Sequence, residues 1–443
     1  MASPSSHRVL GSVERTGMRL TDHVFEVPLD HDNPAGEQLE IHAREIASPA
    51  KVEKGADPDP APWLVFFQGG PGMAANRPLE LGGWLEEALK TFRVLLLDQR
   101  GTGRSAPINR QTLPLRGGTR EQANYLRHFR ADSIVADAEL IRRRLGVEQW
   151  SILGQSFGGF CALSYLSTAP GSLREALITG GLGPVTGSIE DVYRATYTRV
   201  KARNEEFYGW YPQDREMARQ VAEHLLAVPE YLPTGERLTV HRFQMLGNLL
   251  GGNSRVHQLH FLLEDPFVTT VDGKRLSDGF LEQVGSVVSY AANPLYAVMH
   301  ESIYSQGRAT GWAADRVLAE RPDFNTAADP LLFTGEMIHP WYFEEDPALI
   351  PLAAVADKVS KIDDWGQLYD LDQLARNEVP AAAAVYLDDI FVAHELSLQT
   401  AGRVAGLRIW ETGDYHHDGL RQDGAAVFAR LLNLCRQERA ERV

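Results

Sequence analysis

Trp63-Leu-Val-Phe-Phe67 is a short, continuous apolar run that stops at Gly69-Gly70-Pro71-Gly72. A run of this length, bounded by Gly and Pro, is the signature of a strand buried on both faces. The pattern recurs along the chain. Phe92–Leu97 ends in Asp98-Gln99-Arg100-Gly101, Trp150–Leu153 in Gly154-Gln155-Ser156, and Ala176–Thr179 in Gly180-Gly181. Ala381–Tyr386 ends in Leu387-Asp388-Asp389, and Leu407–Trp410 stops before Gly413. Helical patterns lie between the runs. Ile134, Val135, Ala138, Ile141 and Leu145 follow Asp132/Ser133, which read as an N-cap, and Gly146 reads as the C-terminal stop. Buried strands alternating with amphipathic helices predict an α/β protein with a mostly parallel sheet and right-handed crossovers. Function in such sheets gathers in the loops at the carboxyl ends of the strands.

The rhythm breaks between about Val185 and Glu345, a long helix-leaning stretch rich in Arg, Glu, Tyr and His, and resumes at Val379. An insertion between two parts of one sheet is the arrangement of a lid. The chain is therefore divided into a first core part (1–185), a helical cap (186–345) and a second core part (346–443). Ser48–Asp59, polar and Pro-containing, reads as a surface hairpin loop. At 443 residues, with 44% hydrophobic and 23% charged residues, disorder is excluded. The net charge of −15 argues against nucleic acid and against anionic membrane surfaces as partners. Cys161 and Cys435 are too few for a disulfide framework, a zinc ribbon or an iron–sulfur site. With no signal-type apolar segment near Met1 and no run long enough to span a bilayer, the expected location is cytoplasmic.

Gly154-Gln155-Ser156-Phe157-Gly158 has the form G-x-S-x-G between a buried strand and a helix. That context holds a serine on a sharp turn, with flanking glycines removing Cβ atoms where the chain doubles back. Ser156 is the candidate nucleophile. A tetrahedral oxyanion needs two pre-aimed N–H donors. Phe157, the residue after the nucleophile, is one. Gly70 in the Gly69-Gly70-Pro71-Gly72 loop is the other; Pro71 has no N–H and stiffens the turn. Serine also needs a base, usually a histidine oriented by a carboxylate. Downstream, Asp388 and Asp389 follow one buried strand, and His416 and His417 follow the last. Adjacent residues in an extended turn point opposite ways, so one member of each pair can serve. Spacing alone leaves the choice open. His394, five residues past Asp389, is a rival base.

FQGGPG (Phe67 to Gly72), LLLDQRGTGRS (Leu95 to Ser105) and GQSFGGFC (Gly154 to Cys161) together resemble the proline iminopeptidases, also called prolyl aminopeptidases. The resemblance extends through VPLDHDNP (Val27 to Pro34), FRADSIV (Phe129 to Val135), FTGEMIHPW (Phe333 to Trp341), DWGQLYD (Asp364 to Asp370), VYLDDIFV (Val385 to Val392) and DYHHDGL (Asp414 to Leu420). It covers nearly the whole chain and looks like the larger bacterial branch. It implies an α/β-hydrolase fold with an inserted helical cap. It also implies Ser156 as nucleophile, Asp389 as acid and His417 as base, which resolves both pairs. Gln68 stands where many α/β-hydrolases begin the oxyanion loop with His-Gly; a backbone donor is unaffected by that change.

The resemblance implies a serine exopeptidase that releases N-terminal proline from peptides through a prolyl-enzyme ester. An exopeptidase must pair a free α-ammonium with carboxylates. By position these are Glu301 (HESIY) and Glu336 (TGEMIHP), with Glu205 and Glu206 as weaker alternatives. Phe157, Trp341, Tyr342 and Phe343 are candidate walls for the proline ring or ordinary core. Cys161 reads as a core thiol. The chemistry is complete without a metal or cofactor, and none is expected. The competing readings are another α/β-hydrolase (an esterase, amidase or epoxide hydrolase) acting on a small substrate, and a non-catalytic ligand-binding protein. The first is separated by substrate; the second usually lacks a triad member.

Overall fold

The structure is a computed structural model that describes residues 6–49, 61–271 and 273–441. The apolar runs become the centre of one sheet. β1 (His7–Arg15), β2 (Met18–Pro28) and β3 (Gln38–Ala47) form an antiparallel meander. β4 (Trp63–Phe67), β5 (Arg93–Leu97), β6 (Trp150–Gln155), β7 (Leu173–Thr179), β10 (Ala381–Tyr386) and β11 (Leu407–Thr412) are parallel to one another. The nine strands lie in the order β1-β2-β3-β5-β4-β6-β7-β10-β11, with β3 antiparallel to β5. β8 (Phe267–Thr270) and β9 (Gly273–Leu276) make a separate hairpin.

Both faces of the inner strands β4, β5, β6, β7 and β10 are largely buried, which is why they read as unbroken apolar runs rather than alternating ones. β11, expected to be buried, instead lies at the sheet edge with Arg408, Ile409 and Glu411 exposed. Val65, Phe67, Leu95 and Ile152 pack with apolar side chains of α2 (Ala131–Arg144) and α3 (Phe157–Thr168). Their neighbours Leu64, Phe66, Leu96 and Leu153 pack on the other face with α1 (Gly83–Leu89) and α7 (Gly424–Glu441). Helix α2 begins at Ala131 with Arg130 at the N-cap, so the helix starts earlier than expected and Asp132 and Ser133, read as the N-cap, stand inside its first turn. Gly146 follows the helix at φ +69°, a conformation glycine adopts without strain.

Residues 180–380 connect β7 to β10 and contain α4 (Ile189–Trp210), α5 (Arg255–Leu263), α6 (Pro294–Met299), further helices such as Pro212–Ala227 and the β8–β9 hairpin. Apolar residues of this insertion, such as Leu246, Phe333 and Tyr342, continue the core on the α2/α3 side. Arg130 ties the two together. Its buried guanidinium donates to the carbonyls of Ser305 at 2.5 Å and Gly366 at 2.8 Å and lies 4.5 Å over the Trp365 ring. Arg100 similarly gathers the N-terminal strands. It pairs with Asp137 and donates to the carbonyls of Leu29 at 2.8 Å, His128 at 2.7 Å and Pro28 at 3.1 Å. The polar connection expected over Ser48–Asp59 falls mostly outside the described residues. Among the described residues, no helix is long and apolar enough to cross a membrane.

Candidate active site

β4, β6, β7, β10 and β11 are neighbours running the same way, so the loops leaving their carboxyl ends crowd into one region. Ser156 leaves β6 at φ +53° and ψ −123°, a left-handed conformation that a side-chain-bearing residue adopts at an energetic cost and that the surroundings must enforce. The enforcement is steric. A Cβ on Gly154 would stand 2.2 Å from the Gly158 carbonyl oxygen, and one on Gly158 would stand 2.0 Å from the Phe67 carbonyl oxygen. Strand β6, helix α3 and strand β4 therefore approach more closely than any larger residue permits. Ser156 donates its own amide to the Thr179 carbonyl at 3.0 Å, which fixes the turn against β7.

The loop after β4 closes on this turn. Gly69 approaches the Ser156 side chain, where an added Cβ would come within 3.1 Å of the serine Cβ. Gly70 has φ +134° and precedes a cis peptide bond to Pro71. Among the described residues, no hydrogen bond is made by the amides of Gly70 or Phe157. Both are thus free to donate, and Phe157 is the first residue of α3, at the positive end of its dipole. Gly72, at φ +76°, touches the insertion: a Cβ there would lie 2.5 Å from the Tyr296 amide nitrogen.

Asp389 and His417 meet although 28 residues apart, with Asp389 Oδ2 2.8 Å from His417 Nδ1. The other carboxylate oxygen, Oδ1, accepts from the amides of Phe391 at 2.8 Å and Val392 at 3.0 Å, so the carboxylate is held in a single orientation. The ring edge-packs on Phe391 at 5.0 Å, and Gly180 leaves room for it beyond β7. The neighbours diverge. His416 Nδ1 lies 3.0 Å from the Asp388 carbonyl, and His394 pairs with Glu411 at 2.7 Å, away from this cluster. Burial alone would push the His417 imidazole down, but Asp389, by charge and hydrogen bond, and Glu336 together hold it above the ordinary histidine value.

Glu336 lies deep in the protein, yet part of its surface stays open, as for Tyr290, Tyr304 and His417. Each of these groups lies within electrostatic reach of Glu336, so they cluster around that carboxylate. Burial pushes the Glu336 carboxyl up, opposed by His417, by the Tyr296 hydroxyl and by Arg255. Burial also raises Glu301. Its Oε1 accepts from the Ala314 amide at 2.9 Å, while Oε2 has no hydrogen-bond partner. The buried Tyr193 hydroxyl, also without a partner, lies in the field of both glutamates. Glu301 also lies close to the Ala313 amide and the Thr310 hydroxyl, at the start of the helix Ala313–Leu318, so part of its charge is met by that helix end. Glu205 is exposed and Glu206 pairs with Arg203, so neither belongs here.

Of the two readings open for the candidate wall residues, burial fits core packing. Phe157, Tyr342 and Phe343 are core residues, and Trp341 stacks on His339 and His241. The rings grouped with Glu336 are Tyr193, Tyr290, Tyr296 and Tyr304, which sequence reasoning missed. Tyr290, Tyr296 and Tyr304 fall within one short stretch and Tyr193 lies 97 residues before Tyr290, a spacing that carries no motif. Only the tyrosine-rich composition of the insertion hinted at them. Cys161 is fully buried and its thiol is pushed up by that burial, as fits a core thiol.

A family profile described as the alpha/beta hydrolase fold matches residues 62–213, which span β4, the Ser156 turn and the start of the insertion. A proline iminopeptidase from Aeromonas sobria is 46% identical over 423 residues, covering 95% of this chain and 97% of that protein. A proline iminopeptidase from Aspergillus aculeatus is 36% identical over 425 residues, covering 94% and 93%. Likeness at this level over nearly the full length of both partners spans the insertion as well as the sheet. The chain therefore belongs to the proline iminopeptidase family, α/β-hydrolases whose central parallel sheet carries the serine turn described above.

Proposed function

We propose that this protein is a serine exopeptidase that releases proline from the amino terminus of peptides, with 186–345 as its lid. His417, oriented by Asp389, takes the proton from the Ser156 hydroxyl, and the oxygen attacks the carbonyl carbon of the N-terminal prolyl residue. The amides of Gly70 and Phe157 hold the oxyanion. As the tetrahedral intermediate collapses, His417 gives its proton to the departing amine and a prolyl ester of Ser156 remains. Water, deprotonated by the same imidazole, then cleaves the ester, and proline leaves with the serine regenerated. Glu301 and Glu336 receive the prolyl ammonium, and Tyr193, Tyr296 and Tyr304 enclose the ring.

One observation carries the reading: the imidazole that contacts Asp389 at 2.8 Å lies in the field of an enclosed glutamate. A base beside a buried carboxylate suits a substrate whose cation is close to its scissile carbonyl, as in an N-terminal residue. The names of the Aeromonas and Aspergillus relatives support proline as that residue. The test is hydrolysis of a prolyl chromogenic amide against its N-acetylated counterpart. The free amine should be cleaved at least about 100-fold more efficiently, because acetylation leaves two buried carboxylates unpaired. Equal rates, or preference for a simple acyl ester, would favour a general esterase instead.

A further inference from the structure

Glu301 and Glu336 account for one end of a peptide. Beside His417 the protein also opens into a cleft of about 300 Å³, whose walls include Gln68, Gln155, Arg255, His417, Asp418 and Arg421. Arg255 begins α5, and Arg421 lies in the short helical turn Gly419–Gln422. Neither guanidinium makes a hydrogen bond or ion pair with any described residue. Exposed arginines such as Arg110, Arg174 and Arg376 are likewise unpaired among the described residues; what sets this pair apart is that Arg255 is half-buried and borders the cleft. Other arginines of this protein do find acceptors: Arg100 pairs with Asp137, Arg242 with Glu236 and Arg316 with Glu190. Asp418 does not discharge the pair; its Oδ1 accepts from the Asn253 amide at 3.3 Å, and it acts on Arg255 only through space. The two guanidinium groups repel each other, and Asp418 and Glu336 offset this for Arg255 only through space, which leaves both donor forks available to an added anion.

The location says which anion. His417 borders the cleft and, in the mechanism above, hands its proton to the departing amine, so the leaving residue emerges here. Glu336 acts electrostatically on both His417 and Arg255, and Arg255 shares the cleft with His417, so a carboxylate and a guanidinium both lie close to the one imidazole. In an extended dipeptide the ammonium and the carboxylate are about two residues apart, roughly 7 Å at 3.3–3.6 Å per residue. The planar guanidinium fork matches a carboxylate. We propose that Arg255 and Arg421 bind the free carboxylate of the leaving residue, so that this site is built to cleave prolyl dipeptides. The inference rests on the peptidase reading and adds to it the identity of the far end of the substrate.

The experiment compares kcat/KM for Pro-Gly and for Pro-Gly amide, which differ only at that end. The wild-type protein should prefer the free acid roughly 10- to 100-fold, mostly through KM. Arg255→Gln and Arg421→Gln should each pull this ratio toward one, by raising KM for the acid more than for the amide. Arg421 is exposed, so its variant keeps the test decisive if Arg255→Gln folds poorly. A wild-type ratio near one, or variants that lower both substrates by the same factor, would overturn the carboxylate site while leaving the peptidase reading intact. Failure to cleave any prolyl substrate, the chromogenic amide included, would overturn both.

Discussion

Ser156, Asp389 and His417 differ in how their surroundings prepare them. Ser156 is prepared by backbone shape, and Asp389 by two amides that leave one oxygen for the imidazole. Replacing Ser156 with Ala should reduce kcat on the order of 10⁴-fold or more without changing the circular dichroism spectrum. His417 is prepared by charge. Because Asp389 and Glu336 hold it above its ordinary value of about 6.5, and because a base must be neutral to act, kcat/KM should rise with pH through a midpoint above about 6.5. It is the ionised form of Glu336 that favours the imidazolium. Glu336→Gln should therefore move that midpoint to lower pH, read on a neutral acyl ester so that loss of amine binding does not mask the shift. A midpoint unchanged in the variant would show that Glu336 does not act on His417.

Element packing explains why the serine turn tolerates so few residues. Gly158 is where α3 passes β4, and a methyl group there would overlap the Phe67 carbonyl. Gly158→Ala should destabilise the fold by at least roughly 1–3 kcal/mol in urea titrations, because backbone rather than a flexible side chain must give way. Gly209 is the contrasting case. It sits near the end of α4, exposed, with nothing within 4 Å of an added Cβ and no positive φ. Gly209→Ala should stabilise by about 0.5–1 kcal/mol, chiefly by restricting the unfolded chain. Measuring both variants separates a glycine needed for close approach from one that is merely present.

Across the molecule, the charged motifs hold layers together. Arg130 and Arg100 sit in conspicuous sequence motifs and spend their donors on backbone carbonyls of distant segments. Asp98 does the reciprocal, accepting from the Ala75 and Arg104 amides and from Arg77. Burial opposes its ionised form, but His42, Arg77 and the Arg104 amide bring it down to about 2. A carboxylate depressed on folding stabilises above its unfolded value near 4, and that contribution is lost as pH falls through 2. Asp98→Asn should thus reduce stability by on the order of 2 kcal/mol at neutral pH and flatten the pH dependence between about 4 and 2, followed by chemical denaturation at each pH. A parallel offset at every pH would mean that Asp98 matters for shape rather than charge.

The parallel strands, the serine turn and the glycine loop after β4 were legible in the sequence because each is a local pattern whose cause lies within a few residues. Two-sided burial writes an apolar run, and a forced turn writes glycines beside Ser156. The β1–β3 meander lacks the continuous apolar runs of the inner strands; its trace is an alternation such as Leu39-Glu-Ile-His-Ala43, the pattern of a strand with one more exposed face. Spacing could not choose between Asp388 and Asp389, or between His416 and His417; that depended on which side chains face each other across β10 and β11. The tyrosines around Glu336 and the unpaired Arg255 and Arg421 come from segments far apart in the chain. Only the tertiary structure decided which of them gather near Glu336 and which border the cleft beside His417, because burial and charge environment belong to the assembled fold and not to any stretch of sequence.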